Sequence, residues 1–412
     1  MKKKESSHDI LAALDLGSNS FHLVVAKRTD SGFRIVDKHK ETVRLASGLD
    51  VHGSLKKESI KKAINCISRL SERIRDLPTR GVRIVGTNTL RKAKNSEAFI
   101  IEAEKIIGHP IDIISGTEEA RLIYLGVTKD IGFVDSKTLV IDIGGGSTEI
   151  IIGKNSEPLM LSSLHMGCIS QTLKFFQAGN LDIEVFNQAM VAVAQELEPI
   201  SLSYRDYGWN KVLGSSGTII SIYEILEKNG WAKEIITKEG LENLLNRLLS
   251  AGSIKKLSIK GVSDDRKDIL PGGLAILMGI FKAMKLDTMS VSYNALREGL
   301  LFDLVGRIDN KDVRDSTVSA LQRDYQIDIW HASVVERSVI HIFDSLQEDW
   351  SIFNNDYRKL IGWAAQLAEI GLIVSYSQYH KHGAYLLANL DMPGFSEKEK
   401  NILSFLVRAQ RR

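Results

Sequence analysis

The stretch Val140–Gly153, VIDIGGGSTEIIIG, sets an acid, three glycines and a Ser-Thr pair between two apolar runs. The runs are short and rich in Val and Ile, so they read as strands, and the Gly-rich interval reads as the turn between them. A loop that joins strand to strand is neither a Walker loop nor a dinucleotide fingerprint, because both of those seat their anion on the N-terminus of a following helix. The glycines therefore need another reason. Without Cβ atoms the backbone bends tightly and can bring N–H groups against an anion, and hydroxyls of Ser147 and Thr148 add donors. The expected guest of Gly144, Gly145, Gly146, Ser147 and Thr148 is phosphate. Asp142, at the end of its strand, suits Mg²⁺, which one or two carboxylates commonly share with substrate phosphates.

The pattern occurs twice. Leu11–Val25, LAALDLGSNSFHLVV, aligns with Leu139–Gly153 so that Asp15 falls on Asp142, Gly17 on Gly144 and Ser20 on Ser147. A single Asp-x-Gly turn is ordinary hairpin chemistry, since both residues are turn formers. Two copies in matching contexts imply two related α/β halves, each sending one turn into a shared cleft, with Gly17, Ser18, Asn19 and Ser20 as the second phosphate loop and Asp15 as a second metal acid.

Around these turns the chain is punctuated as an α/β protein. Short β-rich runs from Ile10 to Leu45 predict an antiparallel meander, and Ile60, Ala63, Ile64, Ile67, Leu70, Ile74 and Leu77 recur at helical spacing up to Pro78. Strands over 82–87 and 111–115 alternate with helices over 96–108 and from about Thr117. After the second turn, helical patterns cover Glu184–Leu197, Ile219–Lys228 and Leu241–Leu249. Beyond about Gly306 glycine becomes scarce and helix patterns dominate, over Thr317–Leu321, Val334–Leu346, Tyr357–Leu367 and Lys398–Arg408. The expected domains are 1–123, 124–305 and an all-helical 306–412.

Composition narrows the function classes. The 412 residues carry 54 Lys+Arg against 51 Asp+Glu, a net charge of +3, so no global field argues for nucleic acid or a membrane surface. Two cysteines, Cys66 and Cys168, lack metal-ligand spacing and are too few for a disulfide framework, which fits a cytoplasmic protein. The opening MKKKESSHDILAALDLG is basic but has no cleavage pattern, and no apolar run approaches the roughly 20 residues of a membrane span.

Paired DLGSNS and DIGGGST turns resemble the phosphate loops of the actin, Hsp70 and sugar-kinase superfamily. Further motifs, GTNTLRKAKN (86–95), IISGTEEARLIYLGV (113–127), MGCIS (166–170), GSSGT (214–218), PGGLAILMGIF (271–281) and ALREGLL (295–301), make the chain similar, from about Ala12 onward, to the exopolyphosphatase/guanosine pentaphosphate phosphohydrolase family. The resemblance implies two ribonuclease-H-like domains facing a cleft, plus an all-helical HD-like C-terminal domain. It places the general base at Glu119 and a phosphate-clamping arginine at Arg91, and makes Glu149 a further acid near the metal. Gly214, Ser215 and Gly217 become another turn lining the cleft. Glu118 is the nearest confusion, but adjacent helical residues point about 100° apart, so only one of the pair faces the cleft. Lys92 and Lys94 extend a basic path or are solvated surface groups, and Arg297 and Glu298 are expected to pair with each other or a neighbour.

The implied reaction is Mg²⁺-dependent release of orthophosphate from the end of inorganic polyphosphate by a homodimer, with K⁺ as an optional second ion. Hydrolysis of guanosine pentaphosphate to the tetraphosphate is the nearest alternative. A sugar-type kinase and a non-catalytic polyphosphate or nucleotide sensor are others. The third glycine of DIGGGS and nearby basic residues favour polyphosphate over the nucleotide. In the stretch 363–395 the motif Leu367-Ala368-Glu369 lacks the histidine that family members can show, and His331, His341, His380 and His382 follow no ligand spacing, so no second metal centre is expected there.

Overall fold

The computed structural model describes residues 9–29, 32–129, 136–309, 311–350 and 355–411; the basic opening Met1–Lys4 and Asp30–Ser31, expected as part of a turn, lie outside them. Strands β1 (Ile10–Leu16), β2 (Ser20–Thr29) and β3 (Gly32–Thr42) form the antiparallel meander that the first apolar runs predict. Helix α1 (Lys57–Ser71) buries Ala63, Cys66, Ile67 and Leu70. The apolar pattern overruns the helix: residues 72–77 are turns, although Ile74 stays buried. Strand β4 (Val82–Gly86) lies parallel to β1, and α2 (Asn88–Lys92), α3 (Ser96–Ile107) and β5 (Ile111–Ile113) complete a sheet ordered β3-β2-β1-β4-β5. Helix α4 (Gly116–Lys129) follows.

The second sheet repeats the first. Strands β6 (Lys137–Ile143), β7 (Thr148–Lys154) and β8 (Glu157–Leu164) make another meander, followed by α5 (Cys168–Phe175) and α6 (Ile183–Tyr207). Strand β9 (Lys211–Ser215) then lies parallel to β6 as β4 does to β1. Helix α7 (Ser216–Lys228), β10 (Ile235–Thr237), α8 (Lys238–Ala251), α9 (Asp264–Lys267), α10 (Leu270–Met284) and β11 (Thr288–Val291) finish a sheet ordered β10-β11-β9-β6-β7-β8, and α11 (Leu296–Ile308) comes last. The runs β3-β2-β1-β4 and β8-β7-β6-β9 are one arrangement used twice, as the aligned Asp turns predict.

Helix α10 is buried almost all round, from Leu270 to Phe281, and forms the centre of the second sheet's core. Helix α6 continues through Pro199 to Tyr207, beyond the Leu197 limit of the sequence pattern. A proline inside a helix removes a backbone bond and costs about 3 kcal/mol. Anchoring beyond it offsets that loss: Tyr204 is buried and its hydroxyl donates to the Ile150 carbonyl at 2.9 Å.

The chain divides into two compact units, residues up to Ile111 with Glu119–Leu304, and Asp112–Glu118 with residues from Val305 onward. The second unit is helical: α12 (Val313–Asp324), α13 (Ile329–Trp350), α14 (Asn355–Gln366), α15 (Tyr379–Asn389) and α16 (Glu397–Ala409). Its core gathers Trp363, Leu367, Leu387, Phe395 and Leu403, with the Trp363 and Phe395 rings edge to face at 5.1 Å. No helix among the described residues is long and apolar enough to cross a membrane.

A buried ion cluster staples this helical unit. Arg314 Nη2 lies 2.7 Å from Asp312 Oδ2, Arg314 also pairs with Glu399, and Lys359 Nζ reaches Asp312 at 3.1 Å. Burial alone would raise the Asp312 carboxyl's pKa, but the hydrogen bonds and charge of Arg314 outweigh it and hold the group well below the usual carboxylate range. A depressed folded-state pKa contributes stability that is complete above the unfolded value, about 4, and is lost as pH falls toward the folded one. Thermal melts followed from pH 7 into that acid range should show the helical unit losing stability, and Asp312→Asn should cost about 3 kcal/mol at pH 7 while flattening the acid slope. An unchanged slope in the variant would assign the acid sensitivity to other groups.

Candidate active site

Asp15 and Asp142 hold the same position in the two halves, each one residue before its strand ends. Both line a single cavity of about 500 Å³, and Glu119, from α4, lines it with them. The other acid of the pair is spent elsewhere: Glu118 accepts from the Gly394 backbone N–H at 2.8 Å. Arg91 is not on the cavity wall, but its Nη1 lies 3.6 Å from Glu119 Oε2. Lys92 and Lys94 do not line the cavity.

The two glycine turns are fixed from behind. In the first, Thr89 Oγ1 donates to Ser18 Oγ at 2.8 Å, while the Ser18 and Asn19 carbonyls accept from Ala46, Val43 and Arg44. In the second, Gly144 N–H donates to the Ser147 carbonyl at 2.9 Å, the Cys168 and Ile169 amides at the start of α5 donate to the Gly144 and Gly145 carbonyls, and Thr148 Oγ1 donates to the Met166 carbonyl at 2.6 Å. Gly17, Ser18, Asn19, Ser20, Gly144, Gly145 and Ser147 face the cavity; Gly146 and Thr148 stand behind the wall.

The third glycine has a packing reason. A Cβ at Gly146 would come within 2.7 Å of Asn88 Oδ1 and 3.2 Å of Ser18 Oγ, and one at Gly145 within 3.1 Å of Ser18 Cβ. A Cβ at Gly167 would strike the Gly145 and Gly146 backbone itself. Gly145 and Gly146 let the two glycine turns meet, which removes the argument that drew polyphosphate from the third glycine.

The GSSGT turn divides its work. Only Gly217 of the expected trio lines the cavity, joined by Ser216 and Thr218. Ser215 instead donates to Asp142 Oδ2 at 2.6 Å, and Gly214 packs against Met289 and Ile219. Ser216 adopts φ +84°, a left-handed conformation rare outside glycine, and its hydroxyl donates to the Ile143 carbonyl at 2.9 Å.

Glu149 is turned inward. It is Asp142's partner across the β6–β7 pair, so both lie on one sheet face, and its Oε1 accepts from Ser163 at 2.8 Å. It is buried without lining the cavity. Counting across the hairpin turn from Asp142 would have placed it; alternation with Ile150 alone does not. The same count pairs Asp15 with His22, whose ring lines the cavity and was not singled out in the sequence.

Charge is crowded here. Burial, with Glu119 and Asp142 adding repulsion against an opposing Arg297, lifts Asp15 to about 8. Burial lifts Asp142 to about 6 against the Ser215 hydrogen bond and Arg297. Glu119 is raised chiefly by burial with Arg91 opposing, and Glu149 is raised well above its usual value by burial and by the charges of Glu119 and Asp142. Desolvation and the nearby Arg297, Lys40 and Arg266 push His22 down to about 3, so its imidazole is neutral at physiological pH. Lys40, Arg266 and Arg297 all line the cavity. Of the two residues expected to pair with each other or a neighbour, Glu298 meets Lys38 Nζ at 3.1 Å while Arg297 lines the cavity.

Asp15 Oδ1 and Glu119 Oε2 are buried without a hydrogen-bond partner among the described residues. Buried, mutually repelling carboxylate groups beside the two glycine turns are the ligand type a hard divalent cation takes, with Arg91 offsetting part of the charge on Glu119. Among the described residues no group of three or more His, Cys, Asp and Glu side chains is placed to hold a metal ion by itself.

Two Asp turns on matching sheets, with a buried glutamate lining the same cavity, define a phosphatase of the actin-like type. The chain belongs to the Ppx/GppA phosphatase family: residues 24–308 match that family and residues 313–412 match its domain III. It is a hydrolase of phosphoanhydrides. A relative from Aeromonas hydrophila, named guanosine-5'-triphosphate,3'-diphosphate pyrophosphatase, is 40% identical over 402 residues, 98% of this chain and 81% of its own. One from Vibrio cholerae with the same name is 39% identical over 405 residues, again 98% and 81%. Among solved structures, an exopolyphosphatase from Cytophaga hutchinsonii is similar with TM-score 0.66 and 22% identity over 74% of this chain and 99% of that one. The Ppx/GppA enzyme of Aquifex aeolicus is similar with TM-score 0.60 and 23% identity, covering 71% and 98%. These two share the fold.

Moving a phosphate loop by about 1 Å can cost on the order of 10²-fold in turnover. Gly167→Ala, which must displace Gly145 and Gly146, should lower kcat/KM for phosphate release by about that factor. A variant with unchanged kcat/KM would show that turnover does not depend on the close packing of Gly167 on the second turn.

Proposed function

We propose that the chain hydrolyses the terminal 5' phosphoanhydride of guanosine pentaphosphate, giving the tetraphosphate and orthophosphate. The observation that carries this reading is the 40% identity, across 98% of the chain, to a relative named for guanosine-5'-triphosphate,3'-diphosphate. It replaces the sequence preference for polyphosphate with its alternative. The cavity supports it, because Ile220 and Tyr293 line it beyond the phosphate loops and are poor company for a polyanion. The basic trio Lys40, Arg266 and Arg297 favours inorganic polyphosphate as a second substrate of the same site. The proposal keeps the cytoplasmic location and the homodimer expected from the sequence.

In the proposed mechanism, Gly17–Ser20 with Gly144, Gly145 and Ser147 hold the terminal phosphates. Asp15 and Asp142 are the residues that would hold Mg²⁺, with Glu149 behind them, and the ion when bound offsets charge on the phosphate oxygens. Glu119 accepts a proton from a water as the water's oxygen bonds to the terminal phosphorus. The bond from that phosphorus to the bridging oxygen breaks, and the electron pair leaves with the shortened nucleotide. Burial makes Glu119 more basic than an ordinary glutamate, which suits a general base. Arg91, behind the wall, restrains Glu119 and offsets its charge.

Phosphate release should be measured side by side on guanosine pentaphosphate and long-chain polyphosphate, with Mg²⁺ and with a chelator. The expected result is a higher kcat/KM on the nucleotide and loss of both activities with chelator; a higher kcat/KM on polyphosphate would reverse the assignment. Glu119→Gln should cut turnover on the order of 10²-fold or more with substrate binding retained. Near-wild-type turnover in that variant would remove Glu119 from the chemistry.

A further inference from the structure

Helix α7 lays one face along the cavity. Gly217, Ile220, Ser221 and Glu224, at i, i+3, i+4 and i+7, all line it. The helix begins beside the second phosphate turn, where Ser216 bonds Ile143, and seven residues carry it about 10.5 Å further. Along that distance the wall carries apolar Ile220 and then Ser221 before the carboxylate, with the exposed Tyr293 lining the cavity as well.

A carboxylate here is out of place for a polyanion, which it repels. Among the described residues the Glu224 carboxylate makes no hydrogen bond, and its charge reaches Lys40. Guanine carries N1–H and N2–H₂ side by side on its Watson–Crick edge, and a carboxylate accepts both in parallel. Adenine sets a lone pair at N1 beside its amino group, so one carboxylate oxygen would face a lone pair.

The geometry points to Glu224 as the residue that reads the guanine edge of the nucleotide, with Ile220 and Tyr293 against the nucleoside; this rests on the guanosine pentaphosphate reading above. The test compares kcat/KM for guanosine 5'-triphosphate 3'-diphosphate and its adenosine counterpart in the wild type, Glu224→Ala and Glu224→Gln. A misfolded fraction lowers both rates equally, so their ratio reads recognition alone. Hydrogen bonds to a charged group carry about 1.5–3 kcal/mol, so the guanine preference should fall about 10- to 100-fold in Glu224→Ala, with Glu224→Gln, which keeps one acceptor, in between. A wild-type preference that survives Glu224→Ala overturns the role of Glu224 alone. A wild type that releases no phosphate from the guanosine compound overturns this inference together with the function on which it rests.

Discussion

Four carboxylates, Asp15, Glu119, Asp142 and Glu149, are gathered where burial pushes every one of them toward the protonated form, and for Asp15, Glu119 and Glu149 mutual repulsion adds to it. Stripping water from such groups is expensive unless charge or hydrogen bonds replace it. Arg91 and Arg297 supply part of that replacement, and Ser215 and Ser163 supply more through single hydrogen bonds. The duplicated sheets are what hold the acids there despite the cost, since Asp15 and Asp142 are built into paired strands and cannot swing away.

Much of this was legible in the sequence because it is local. The two turns, their acids and the strand-to-strand connection all lie within short windows, and the meander-plus-parallel-strand arrangement follows from seeing one window twice. The direction of Glu149 was legible in principle, from register across a turn, but alternation along one strand does not reveal it. Helix α6 shows the opposite limit, because its survival beyond Pro199 depends on Tyr204 reaching a strand more than fifty residues earlier in the chain.

The basic wall was not legible. Lys40 comes from an edge strand, Arg266 from a one-turn helix and Arg297 from the start of α11, and no spacing rule joins residues so far apart. Arg297 and Glu298 illustrate the difficulty. Neighbours in sequence and opposite in charge, they are an obvious pair, yet the fold sends one to the cavity and the other to Lys38.

Where Gly145 and Gly146 meet Ser18 and Asn88, the halves of the duplication touch with no side chain on one surface and only short ones on the other. Such a seam limits how the two copies can diverge. A larger residue at 145 or 146 needs room that Ser18 and Asn88 would have to yield, so the bulk of these four positions is set jointly.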